Sequence, residues 1–284
     1  MLDLRAHKPP KPNDFNHRVK DAQANIQNLI DDGNTPGEHD YQPLWTNYKP
    51  TITQAHFNGK CAYCESWVRA SYPGEIDHYR PKTEVVSYKN RGARHEDTPP
   101  KRKVATRTKP GYWWLAYCWD NWLLSCKLCN GWKGSQFPTQ PEAPCLAPGD
   151  EARYHPVLLN PMTDDPAPHF HFDESGMIQG ETTRGNTTID ICGLDRKYLT
   201  QARQRVAQTI VKLADDLAVA TNERNPLAYR QTVQRIIQEC QPEKAYSGMV
   251  RYLVADLTGR SYQFWQEAIR QQQPAKQASP GSGF

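Results

Sequence analysis

Two cysteine pairs, Cys61-Ala62-Tyr63-Cys64 and Cys126-Lys127-Leu128-Cys129, carry the most specific chemistry in the chain. A CxxC turn puts two sulfurs on one side of a tight loop, and two such turns complete a tetrahedral Zn²⁺ site. Structural sites of this kind are closed, and their binding energy is also folding energy. The 61 residues between the pairs are far more than a simple zinc finger holds, so a metal here clips two distant segments around whatever lies between them. A redox CxxC belongs at the strand-to-helix turn of a βαβ unit, and no such alternation surrounds either pair. Cys118, Cys145, Cys192 and Cys240 have no partner at ligand spacing and read as small buried hydrophobes.

Between and beside the pairs lie Glu75-Ile76-Asp77-His78-Tyr79-Arg80-Pro81-Lys82, Trp119-Asp120-Asn121-Trp122-Leu123-Leu124-Ser125 and Asn130-Gly131-Trp132-Lys133-Gly134. An Asp-His pair alone is usually a turn dipeptide, and asparagines are commonly caps. Set among two CxxC pairs, the pattern CxxC, DHxxPK, then DN–LLSC–xCNxxKG resembles the zinc-containing branch of the HNH endonucleases, built on a ββα-metal motif. The longer string GYWWLAYCWDNWLLSCKLCN, followed by KGSQFP and LLNPMTDDP, resembles the HNH nuclease subunit of Septu-type and some retron-type anti-phage systems. The resemblance runs roughly from Cys61 to Asp195 and is strongest from Gly111 to Pro138.

That resemblance implies Mg²⁺- or Mn²⁺-dependent hydrolysis of nucleic-acid phosphodiesters, with DNA favoured over RNA, under an ATPase encoded alongside. It assigns His78 as general base, Asp77 and Asn130 as ligands of the catalytic ion, and Asn121 as the side chain that holds the base-bearing loop. Arg80, Lys82 and Lys133 are the residues expected to meet phosphates. The chemistry suits the residue types. Imidazole can hold a neutral, accepting nitrogen at working pH, and hard oxygen donors suit Mg²⁺. The last motif position is asparagine where the namesake pattern has histidine, which tilts the ion toward Mg²⁺ or Mn²⁺. Neighbours on a strand point to opposite faces, so a bend or loop is expected at Asp77-His78 if both serve one site. Rival readings are a non-catalytic zinc-stabilised nucleic-acid-binding module, an ATPase-docking subunit, and a restriction or homing nuclease.

The elements that must hold these residues are legible in outline. Phe15, Val19, Ala22, Ile26 and Leu29 recur at helical steps, with Asn13 or Asp14 as N-cap and Gly33 as C-cap. HFHFDESGMIQG reads as a hairpin breaking at Ser175-Gly176, its phenylalanines inward and His169 and His171 toward solvent. Helical patterning runs from Thr187, with Asp195 as candidate N-cap of a stripe from Leu199 to Leu217; further helices open at Asn225-Pro226, Met249 and Tyr262. The fold class is therefore α+β. Its expected parts are 1–50 (helix and irregular segment), 51–140 (core with knuckle and basic insert), 141–195 (linker and hairpin), 196–272 (helical region) and 273–284 (disordered tail).

The insert from Lys89 to Lys109 holds eight Lys/Arg and suits a backbone-gripping arm or a solvated loop. Tyr112, Trp113, Trp114, Trp119 and Trp122 are expected mostly in the core. A net charge of +4 over 284 residues permits a nucleic-acid partner without requiring one. Mean hydropathy is −0.83, and no stretch approaches the roughly 18 apolar residues of a membrane helix. The start of the chain has no apolar signal core, so a cytoplasmic setting with reduced thiols is expected.

Overall fold

The computed structural model describes residues 1–68, 72–86, 88, 97, 108–143 and 147–272. Most of the basic insert, Cys145 and the tail from 273 lie outside them. In chain order the helices and strands are α1 (Phe15–Asp31), α2 (Lys49–Ala55), β1 (Glu75–His78), β2 (Glu84–Val86), β3 (Thr108–Pro110), β4 (Trp122–Ser125) and α3 (Lys127–Lys133). There follow β5 (Thr139–Gln140), β6 (His155–Pro156), β7 (Phe170–Phe172), β8 (Ile178–Gly180), α4 (Thr183–Cys192), α5 (Lys197–Asn222), α6 (Pro226–Glu239), α7 (Ser247–Thr258) and α8 (Tyr262–Gln272). The fold is mixed, with small two-stranded antiparallel sheets β1-β4, β2-β3, β5-β6 and β7-β8 among the described residues.

The β1-β4 ribbon divides two cores. It pairs Glu75 with Ser125, Ile76 with Leu124, Asp77 with Leu123, and His78 with Trp122. Directly opposed residues share a face. Leu123 therefore joins the larger core with the knuckle cysteines and the C-terminal helices, while Leu124 and Trp122 join a second core with α1 and α2. In that second core Phe15, Tyr48, Trp119 and Trp122 meet edge-on or tilted, with ring centroids 5.1 to 6.0 Å apart. Edge-to-face packing suits aromatic quadrupoles, and it gives a small core its bulk. Tyr112, Trp119 and Trp122 are buried as expected, and Trp113 and Trp114 are half-buried.

Asp77 and His78 sit on a regular strand, not at a bend. The expectation of a local break fails because all four β1 residues pair in register with β4, and regular pairing sends neighbours to opposite faces. The helices open close to their expected starts, but their caps differ. Asp14 makes no capping bond to α1, and Arg196 rather than Asp195 precedes α5, also without one. Asn225 does cap α6, accepting from Ala228 N at 3.0 Å. The helix expected from Thr187 begins at Thr183 and ends at Gly193, whose φ of +58° and contact with the Trp132 ring admit only glycine. In the β7-β8 hairpin Phe170 and Phe172 are buried, whereas His169 bonds Thr182 and half-exposed His171 bonds Tyr252. Their packing against those hydroxyls is why they do not simply face solvent. No helix among the described residues is long and apolar enough to cross a membrane.

Candidate functional site

The four cysteines of the two CxxC pairs converge, with all four sulfurs within 4.8 Å of one another. Backbone bonds shape each turn. Glu65 N donates to Cys61 O, Cys61 N to Ser66 O, and Cys129 N to the Cys126 sulfur, which caps α3. Cys64 Sγ lies 3.8 Å from Cys126 Sγ. Zn–S bonds of about 2.3 Å in a tetrahedron put sulfurs roughly 3.8 Å apart, so the donor set fits zinc in spacing as well as in type. Arg196, only 3% exposed, aims Nη1 at Cys129 Sγ (3.6 Å) and Nη2 at Cys126 Sγ (4.0 Å). Four thiolates around a divalent ion leave two negative charges in a buried place, and this guanidinium offsets part of them. The sequence carried no signal for Arg196, because its partner cysteines lie 67 and 70 residues away.

Behind the knuckle, α3 braces one face of β1. Lys133 is fully enclosed and donates to Asp77 Oδ1 (2.9 Å) and to the His78 carbonyl (2.8 Å). Tyr63, from within the first CxxC, donates to Asp77 Oδ2 at 2.6 Å. Burial raises the Asp77 carboxyl above its usual range, although Lys133 and Tyr63 pull it down. One turn earlier on α3, Asn130 Nδ2 donates to Glu75 Oε2 at 2.6 Å, and Tyr72 OH donates to Glu75 Oε1 at 2.7 Å. Period two along β1 puts Glu75 and Asp77 on one face and spacing three on α3 puts Asn130 and Lys133 opposite them; that double periodicity was a readable signal for Glu75.

His78 faces the other way. Its Nε2 lies 2.9 Å from the Ala116 carbonyl, and Trp122 Nε1 donates to the same carbonyl at 2.9 Å. Two N–H groups converging on one carbonyl oxygen satisfy both of its lone pairs. This bond places the His78 proton on Nε2 and leaves the lone pair on Nδ1. The Trp45 ring stands edge-on at 4.7 Å. Burial, with the nearby Lys82 charge, lowers His78 to about 3, so the ring is neutral at ordinary pH.

The loop after His78 is clamped on both sides. Asn121, 4% exposed, accepts from Arg80 N (2.7 Å) and donates to Arg80 O and Leu115 O (3.0 Å each). Gly111 and Tyr112 bond the loop at Thr83 O and Pro81 O, and a Cβ at Gly111 would meet Lys82 backbone at 2.7 Å. The Arg80 guanidinium rests on Tyr112 and Phe137 with a buried Nη1 that has no partner among the described residues. Lys82 lies over Tyr41 and Trp45 and donates to Glu38 Oε1 at 2.6 Å.

The structure thus gathers His78, Asn121, Arg80 and Lys82 on one side of β1, and Asp77, Asn130 and Lys133 on the other. In this arrangement Asp77 is not open to a divalent ion: both oxygens are bonded and the residue is 5% exposed. Asn130 is turned to Glu75. Lys133 has no surface to offer a phosphate. The Asp77–Asn130 pair therefore does not fit a catalytic ion next to His78, for the same reason that the bend is missing.

A strand–strand–helix unit clipped by a four-cysteine metal site defines the class of protein. Comparison with known proteins gives the family. The chain is 33% identical to the Septu protein PtuB of Bacillus mycoides over 223 residues, covering 70% of this chain and 71% of that one. It therefore belongs to the Septu PtuB family. It is 24% identical to PtuB of Bacillus thuringiensis over 255 residues, covering 84% and 78%. It is also 27% identical over 203 residues to the Septu protein PtuA of Bacillus mycoides, 71% of this chain but 26% of that protein, so the likeness there is to one portion. No family model and no solved structure matches the chain.

Proposed function

We propose that the chain is an endonuclease of the HNH type that hydrolyses nucleic-acid phosphodiesters, DNA in the first instance, in anti-phage defence. The observation that carries this reading is the state of His78. A neutral imidazole, its Nε2 bonded to Ala116 O, keeps one basic nitrogen, Nδ1, at the end of a strand whose following loop is locked by Asn121. Deprotonating a water for attack on phosphorus needs such a group. Asn121 acts as a positioning residue, since it holds the backbone of Arg80 and touches no base nitrogen. A structural zinc in the four-cysteine site holds α3 against β1. A divalent ion, when bound, supplies charge to the leaving oxygen in this chemistry; because Asp77 is closed, no step here runs through it.

Membership of the Septu PtuB family supports the defence role. A second Septu subunit, of PtuA kind, is the natural partner, and an ATPase is what the motif resemblance implies. Purified protein, with and without that partner, is to be incubated with plasmid DNA and with cellular RNA in Mg²⁺, Mn²⁺ or EDTA. Cleavage that disappears in His78→Ala, while zinc content and folding stay unchanged, is the expected result. Cleavage that survives His78→Ala refutes the assignment of the base. Nucleic acid retained but uncut in every condition favours the zinc-stabilised binding module instead.

A further inference from the structure

We propose that Lys82 and Thr83 form a seat for one backbone phosphate of the nucleic acid, and that the Glu38 carboxylate occupies this seat in the free chain. The inference rests on the nuclease reading for its substrate class, and on geometry for the rest. Glu38 Oε1 receives Lys82 Nζ at 2.6 Å and its Oε2 receives Thr83 Oγ1 at 2.9 Å. One monoanion thus offers two oxygens to two donors, as a phosphodiester does with its two non-bridging oxygens. The two partners are unequal. The Lys82 side chain is 8% exposed, enclosed by Tyr41 and Trp45, whereas that of Glu38 is 75% exposed on the short turn Glu38–Asp40. An enclosed ammonium needs an anion at all times, while an exposed carboxylate exchanges that contact for water at little cost.

The seat adjoins the base. Lys82 lies 5.3 Å from the Trp45 ring and His78 lies 4.7 Å from it, so one indole touches both. Its donors are fixed before any substrate arrives. Tyr41 OH donates to Lys82 O, Gly111 N to Thr83 O, and Tyr112 N to Pro81 O. A phosphate held there would also answer the Lys82 charge that helps keep His78 low. Glu38 is then a resident stand-in that the substrate displaces.

The test measures binding of labelled duplex DNA and single-stranded RNA to the zinc-loaded full chain in EDTA, over a series of salt concentrations. Glu38→Gln should bind about tenfold tighter, and log K against log salt should steepen by about 0.9 for duplex DNA or about 0.7 for a single strand, one more phosphate contact. Glu84→Gln removes the same charge just beyond the seat and should change neither quantity as much. Adding Lys82→Gln, or Thr83→Val should the lysine variant not fold, to Glu38→Gln should erase the gain. An equal gain from Glu84→Gln, a gain that survives Lys82→Gln or Thr83→Val, or no binding of either nucleic acid overturns the seat. Cleavage distinguishes the two readings: a gain without cutting retains the seat and removes the nuclease, and cutting without a gain does the reverse.

Discussion

Replacing Lys133 separates a brace from a substrate contact. Its ammonium is wholly enclosed, 2.9 Å from Asp77 Oδ1 and 2.8 Å from the His78 carbonyl. In Lys133→Met the Asp77 carboxylate is left buried with only Tyr63 beside it, and breaking one partner of a buried pair costs about 3–5 kcal/mol. Burial already outweighs pairing at Asp77, whose carboxyl is raised despite both donors. The pair as a unit is therefore not a source of stability, and Lys133→Met with Asp77→Asn should recover most of the loss. Urea unfolding of wild type, both single variants and the double gives the coupling, expected to exceed about 2 kcal/mol. A loss below about 1 kcal/mol in Lys133→Met, with no coupling, would refute the brace and return Lys133 to the phosphate-contacting role expected from its motif.

Other consequences follow from the same geometry. His56 and His78 are both held at about 3 by burial, so the unfolded chain takes up protons through pH 6.5 while the folded chain does not. Their contribution is present above that pH and lost as pH falls toward 3; urea unfolding should report a loss of about 4 kcal/mol between about pH 7.5 and 5, roughly halved in His56→Gln. Equal stability at the two pH values would contradict it. Arg196→Gln removes the guanidinium facing two cysteine sulfurs, and zinc transfer to a coloured chelator should quicken about tenfold; an unchanged rate would mean that the contact is packing alone. Asn121→Ala leaves Arg80 N, Arg80 O and Leu115 O without their partner and should cost about 3 kcal/mol in urea, with cleavage falling more than binding. A variant as stable as wild type would show that Gly111 and Tyr112 hold the loop unaided.

The knuckle was legible because a metal site fixes residue type and spacing together, and both survive in the string Cys61-Cys64 and Cys126-Cys129. The helices of the C-terminal third were legible from their apolar stripe, and Asn225 from its place before Pro226. The side of the strand to which each motif residue turns was not. Asp77 and His78 are adjacent letters, and only the register with Leu123 and Trp122 shows that one faces the knuckle and the other the aromatic core. Arg196, Trp45 and Glu38 act through contacts at long sequence separation, made by residue types common on any surface. A single sequence has no pattern from which such pairings can be drawn.

The division of labour on β1 gives the knuckle a mechanical part in the site. Cys126 caps α3 through its sulfur, so the cysteine cluster fixes where that helix begins. Asn130 and Lys133 on α3 then grip Glu75, Asp77 and the His78 carbonyl. The imidazole on the opposite face inherits that placement through the backbone and has it completed by Ala116 O and Asn121. Each link is a buried hydrogen bond on a rigid element, and displacement at the cluster has no loop to absorb it before reaching His78. Loss of metal should therefore disorder the base without any contact between them, and Arg196, at the head of the longest helix, ties the same cluster to the C-terminal region.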